Sequence, residues 1–279
     1  MYNPIVKSVL HPSDLSKDSE NAFAHALAIS LLGQTRLTVL HAASQNNEQE
    51  SWQKLPAVRT TLERWGLLEQ GSSRSAVFEK LEVEVGKVLI GGRRPLEETL
   101  AYLESHPFEL IVLATEGRDG LPQWLHPSFA ENLARKSKTM TLFVPKSVNG
   151  FVSPQDGQID IRRLLIPFDR NPSPSHALIY AARLASALHV KEFEVTLLHV
   201  GSESDMHPFK LPEDSDISWK ILYEKGDVVN QILEFAASGK ADLIIMPTQG
   251  HQGVLDALRG SVTEQVVRNA PCPVLAIPA

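Results

Sequence analysis

Cysteine is almost missing from this chain, with Cys272 standing alone. One thiol builds neither a disulfide framework nor a Cys-rich metal site, and such scarcity fits a reducing compartment. Long apolar runs are missing as well. No stretch reaches the roughly 18 consecutive apolar residues of a membrane-spanning helix. The start, Met1-Tyr2-Asn3-Pro4, lacks an apolar signal core. Basic residues are not in excess: 27 Lys+Arg face 33 Asp+Glu, for a formal net charge of -6. Without a basic stripe there is no nucleic-acid footprint. Several catalytic signatures are also lacking. The chain has no Gly-x-x-x-x-Gly-Lys-Ser/Thr loop, no Gly-x-Gly-x-x-Gly, no His-Glu-x-x-His and no Gly-x-Ser-x-Gly elbow. These absences lead us to expect a soluble, cytoplasmic protein that does not bind nucleic acid or membrane.

What is present is a repeat. The 279 residues, 43% hydrophobic and 22% charged, suffice for two domains of ordinary size. Val6-Lys7-Ser8-Val9-Leu10-His11-Pro12-Ser13-Asp14 is answered by Ile161-Arg162-Arg163-Leu164-Leu165-Ile166-Pro167-Phe168-Asp169. Both are apolar runs that pass through proline and finish on aspartate. Ala/Leu-rich stretches at helical spacing follow, over 22–32 and 177–188. Then Leu37-Thr38-Val39-Leu40-His41-Ala42 matches Val195-Thr196-Leu197-Leu198-His199-Val200, and Leu110-Ile111-Val112-Leu113-Ala114 matches Leu243-Ile244-Ile245-Met246-Pro247. The last strands are Thr141-Leu142-Phe143-Val144-Pro145 and Pro273-Val274-Leu275-Ala276-Ile277. Continuous apolar strands alternating with helices indicate parallel sheets buried on both faces.

We therefore expect two α/β domains in tandem, over 1–146 and 159–279, joined by a Ser/Gly/Pro/Asn-rich linker over 146–158. The copies are unequal. The interval from Asp14 to Gly117 exceeds that from Asp169 to Gly250 by 22 residues. Most of the difference follows the His41/His199 strands. There the first half has an amphipathic helical stretch over 58–68, and the second only a polar loop, as though a helix had been lost.

Ligands of open parallel sheets bind beyond the carboxyl ends of the strands. Asp14, Asp169 and the loops opened by Gly117 and Gly250 fall there. Gly260-Ser261, just before a helical stretch, offers amides and a hydroxyl at a positive helix end, which suits an anion. The same residues are equally a turn glycine and a serine N-cap.

This order of features resembles the universal stress protein family, twice over. The resemblance covers nearly the whole chain outside the linker and the middle of each half. Its most specific part is Gly260-Ser261-Val262-Thr263-Glu264-Gln265-Val266-Val267-Arg268-Asn269-Ala270-Pro271-Cys272-Pro273-Val274-Leu275. It implies two flavodoxin-like, adenine nucleotide alpha hydrolase-like parallel-sheet domains related by a pseudo-two-fold, with terminal strands paired within the chain. A further homodimer is left open.

ATP-binding members carry Gly, two residues, Gly, nine residues, then Gly-Ser/Thr. Here the second half gives Pro247, Gly250, Gly260 and Ser261, with Val262 following. Proline in place of the first glycine removes an N–H and fixes φ. Asp169 matches the aspartate that contacts adenine, and Val200 is near the position flanking the base. The first half departs further, giving Ala114, Gly117, Pro127 and Ser128, with Glu116 beside the loop.

The resemblance thus implies a stress-response regulator that binds ATP or AMP, with Mg, in its second domain and has unidentified protein partners. No base or metal-carboxylate set is evident, so strong catalysis is not expected; a slow ATPase stays open. The alternative is a nucleotide-free tandem scaffold acting through proteins or another small ligand, with a cleft opened by the missing helix. Cys272, between two prolines at an apolar strand, reads as packing. His207 and His251 face the second-half cleft in this reading, but no three- or four-ligand metal set can be assembled around them.

Overall fold

A computed structural model describes residues 5–43, 48–91, 94–115, 129–146, 148, 150–205, 209–213, 216–248 and 261–278. The expected alternation of strand and helix is present in both halves. The first half holds β1 (Ser8–Pro12), α1 (Glu20–Gly33), β2 (Arg36–Ala43), α2 (Glu48–Lys54), α3 (Val58–Arg64) and α4 (Ala76–Leu81). It continues through β3 (Val85–Gly91), α5 (Pro95–Ser105), β4 (Leu110–Thr115), α6 (Phe129–Ser137) and β5 (Met140–Pro145). The second half holds β6 (Arg163–Pro167), α7 (Ser175–Leu188), β7 (Phe193–Val200), β8 (Ile217–Glu224), α8 (Val228–Phe235), β9 (Leu243–Thr248), α9 (Val262–Asn269) and β10 (Val274–Pro278).

The chain divides into two compact units. One is drawn from residues up to Ala114, the stretch ending at Thr139, and Val152–Ile159; the other takes in Met140–Phe151 and the chain from Asp160. The strands of the first are ordered β3-β2-β1-β4, with parallel pairing of β1 to β2 and β4 and of β2 to β3. In the second the order is β5-β10-β9-β6-β7-β8. Its pairs are parallel except that β5, the last strand of the first repeat, runs antiparallel to β10, with Leu142 opposite Leu275.

Strand composition explains this order. β1, β4, β6 and β9 are rich in Val, Ile and Leu and buried along almost their whole length, as strands covered on both faces must be. The outer strands differ: β3 is half-buried up to its exposed last residue, and β8 alternates over Ile217–Lys220 and is largely exposed beyond. On β8, Ile217, Trp219, Ile221 and Tyr223 fall on one face by the period of two.

α1 is buried from Ala22 to Ser30, so its Ala/Leu-rich sequence reflects enclosure rather than a single wet face. α3 starts where the 58–68 expectation put it and stops at Arg64, because the chain turns at Gly66 with φ +73°. The inequality of the copies is also visible. Three helices separate β2 from β3, whereas a 3-10 turn at Glu203–Asp205 is the only helical element described between β7 and β8.

The segment after β5 is not a loose tether. Phe151 and Val152 are buried, and Val152 bridges Ile159. The buried Trp65 indole at the end of α3 donates through Nε1 to the Pro154 carbonyl at 3.0 Å, and Arg64 donates to the same oxygen at 2.8 Å. Gly157, with φ +73°, lies over the Trp65 ring, where a Cβ would collide.

Candidate functional site

In the second unit β9 lies beside β6, on the side opposite β7, so the chain reverses its direction of travel across the sheet between β6 and β9. A crevice beyond the carboxyl ends of those strands is where open α/β sheets take ligands. Asp169 lies two residues after β6, and Val200 is the last residue of β7. Both are therefore at this end. α9 begins at the same end, since it follows β9 after an intervening loop; Ser261 is its N-cap. The structure thus gathers Asp169, Val200, Ser261 and Val262 around one end of the sheet. Gly250 and Gly260 lie outside the described residues, as do Gly117, Pro127 and Ser128 in the first half.

Asp169 is held without being consumed. Its Oδ1 accepts from the Arg170 backbone N–H at 2.7 Å, while Oδ2 accepts nothing from the described residues and the side chain is 70% exposed. The loop carrying it is fixed by His199, whose Nδ1 donates to the Phe168 carbonyl at 3.1 Å. That bond makes Nδ1 a donor, while Nε2 is buried with no partner among the described residues and packs against Gly201, where a Cβ would collide with it. Phe168 lies 5.6 Å from the His199 ring and meets Phe209 edge-on at 5.3 Å, while Tyr223 meets His199 edge-on at 6.1 Å. The histidine reading from sequence stands: His199 serves the structure of the loop.

The first half repeats the device. His41 Nδ1 donates to the Ser13 carbonyl, just before Asp14, at 2.8 Å. Asp14 differs from its counterpart, because its Oδ1 accepts from both the Ser16 N–H at 3.0 Å and the Ser16 hydroxyl at 2.6 Å. It closes a local Asx-type turn, as aspartates near helix starts commonly do.

Ser261 has a capping role. Its Oγ accepts from the Glu264 N–H at 3.2 Å, one of the amides left without an intrahelical partner at a helix start. The cap half of that reading is thereby realised, at the positive end of α9. Val262, the first residue of α9, is 36% exposed. Pro247 sits inside β9, opposite Ile277 of β10. Ile244 donates to the Pro273 carbonyl on the β10 side, so strand alternation turns position 247 toward β6, beyond the last β6–β9 pair at Leu165 and Ile244. A missing N–H costs no ladder bond there, and it offers a ligand none either.

At this end of the sheet Asp169 offers an exposed acceptor oxygen, and the start of α9 offers the positive end of a helix. No group of three or more His, Cys, Asp or Glu among the described residues could hold a metal ion. Cys272 is buried, and burial, with the Asp242 charge adding to it, pushes its thiol up to about 12. No helix among the described residues is long and apolar enough to cross a membrane.

Sequence reasoning overlooked β3, β8 and α8. The α8 start was signalled by Asp227, whose carboxylate caps Asn230 N–H at 3.0 Å. Among residues with a bearing on function it also missed Arg64 and Trp65 as anchors of the 150–159 segment.

Comparison with known proteins agrees with this architecture. Universal stress protein Rv2005c from Mycobacterium tuberculosis is 22% identical over 294 residues, covering 94% of this chain and 94% of that protein. Universal stress protein MJ0531 from Methanocaldococcus jannaschii is 40% identical over 77 residues, which are 28% of this chain and 45% of that protein. The crystal structure of a universal stress protein from Archaeoglobus fulgidus matches with TM-score 0.63 at 19% identity, covering 97% of this chain and 98% of its own. At that identity the likeness speaks for the fold. The model of the Universal stress protein family matches residues 6–145 and 209–278, leaving out the stretch with Asp169 and Val200. With β1 to β5 in the first matched segment and β8 to β10 in the second, this chain belongs to the universal stress protein family.

Proposed function

We propose that the protein is a regulatory member of its family that binds an adenine nucleotide, ATP or AMP with Mg, in the second domain (159–279) without strong catalysis. The observation that carries this reading is the exposed Asp169 carboxylate at the β6/β9 switch point, with Oδ2 open while its first-half counterpart Asp14 is drawn into a turn by Ser16. In this reading Asp169 and Val200 meet the base, and Gly250, Gly260, Ser261 and Val262 meet the phosphates. The first domain (1–146) is a structural partner. Ligand binding changes the surface offered to a protein partner in the cytoplasm.

Thermal unfolding with and without Mg-ATP tests the proposal. A ligand that binds only the folded state stabilises by RT ln(1 + [L]/Kd), about 2.7 kcal/mol at a hundred times Kd. The shift should vanish in Gly260→Pro and shrink in Asp169→Ala. A melting temperature indifferent to ATP and AMP would favour the second reading, a nucleotide-free scaffold. That reading draws on Ile221 and Tyr223, 39% and 37% exposed on β8 where no cover helix is described.

A further inference from the structure

The inserted helices of the first half do more than cover its sheet. Between the β1–α1 connection and the α2–α3 region lies a cavity of about 340 Å³, within the size range of small-ligand sites. We infer that this cavity binds a small phosphate monoester, at a place independent of the second-half crevice.

The argument rests on charge and on unused donors. Lys17, Lys54 and Arg64 line the cavity beside one lining carboxylate, Glu20, and since Lys54 is engaged elsewhere the donors left for a ligand are those of Lys17 and Arg64. A phosphate monoester, close to a dianion at neutral pH, is attracted to such a basic lining. Glu20 is already engaged by Arg64 at 3.0 Å. Arg64 makes that bond and the bond to Pro154 through Nη2 alone, and neither Nε nor Nη1 bonds any described residue. The guanidinium therefore keeps a free donor edge, the geometry that oxyanions accept in pairs. Lys17 makes no ion pair among the described residues, and the Thr60 hydroxyl makes no hydrogen bond among them. Phe23, itself nearly buried, forms part of the cavity floor. α1, fourteen residues long, starts at Glu20 on the same cavity and adds its positive end to the field.

Among the described residues the second half shows no counterpart of α2 and α3. The inserted helices are thus what distinguishes the first domain as a second binding unit, whatever the nucleotide crevice does.

Titration calorimetry of the full chain with glycerol 3-phosphate, at about 0.15 M salt to screen surface charge, tests this. Inorganic phosphate is the second probe. We expect one saturable site per chain, weakened about tenfold or more by Arg64→Gln. Because Arg64 also holds Glu20 and Pro154, the exposed pair Lys17→Gln/Thr60→Val provides a variant that leaves those bonds intact, and it should weaken binding similarly. Asp169→Ala should leave the affinity unchanged. Absence of saturable binding by both probes would overturn the inference. So would undiminished affinity in the Lys17/Thr60 variant, or loss of binding in Asp169→Ala.

Discussion

The His199 imidazole donates through Nδ1 to the carbonyl of Phe168 at 3.1 Å, and so fixes the backbone one residue before Asp169. His41 does the same to Ser13, one residue before Asp14, at 2.8 Å. A histidine at the end of the second strand of each repeat thus pins the loop after the first strand. The two loops then diverge: Asp169 faces solvent with one oxygen open, and Asp14 is held by Ser16. The repeat keeps the frame and varies the group that the frame presents.

Two other histidines set the acid limit of the fold. Burial pushes His11 and His25 down to about 4, despite the opposing bonds from Nδ1 to the Val112 and Asn21 carbonyls. Both are therefore neutral in the folded state while the unfolded chain takes up protons below about 6.5. Stability is complete above that pH and falls as pH drops toward 4. At pH 5.5 the loss is about 1.4 kcal/mol per imidazole. Urea unfolding at pH 7.5 and 5.5 should show this difference, and His25→Gln should remove about half of it. Equal stability at the two pH values would contradict the burial of both rings.

Gly157 should tolerate no side chain. Its φ of +73° already disfavours L residues, and a Cβ would collide with the Trp65 ring. Gly157→Ala is expected to cost about 1–3 kcal/mol, and to alter tryptophan emission by disturbing the Trp65–Pro154 bond. Unchanged stability and emission would show that the 150–159 segment is not docked on α3.

Asp242 ties β6 to β9 at their amino ends. It accepts from the backbone N–H groups of Arg162 and Arg163, both at 2.9 Å, and from Arg163 Nη2 at 2.6 Å. Asp242→Ala leaves those amides unpaired and should destabilise the chain by about 2 kcal/mol. Denaturant titration at pH 7 measures it, and a loss below about 0.5 kcal/mol would place the bonds among weak surface pairs.

Cys272 should be inert in the native protein. A buried thiol pushed up to about 12 has almost no thiolate near neutrality. Labelling by a thiol reagent at pH 8 is expected only on unfolding, and rapid stoichiometric labelling of the native chain would contradict its burial.

Much of this architecture was legible in sequence because central strands of a parallel sheet must be continuously apolar. Leu110–Thr115 and Leu243–Thr248 announce themselves in that way. The edge strands do not. Ile217-Ser218-Trp219-Lys220 alternates because β8 is half exposed, and Val85-Gly86-Lys87 likewise reads as no buried run. Asp169 and Ser261 are legible at one end of the sheet from their positions after a strand and before a helix, whereas Val200 is singled out only by the family resemblance. The contrast between an open Asp169 and an engaged Asp14 was not readable, since it depends on a hydroxyl two residues away adopting a turn. The cavity beside Arg64 was equally hidden, because its walls come from segments more than thirty residues apart.

The most direct test of the proposed function is titration of the nucleotide-stripped protein with Mg-ATP, with mass analysis of whatever denaturation releases. The account predicts one site per chain, weakened by Asp169→Ala and abolished by Gly260→Pro. No heat at any of several temperatures, with no nucleotide released, would contradict it and assign the tandem fold to a scaffold role.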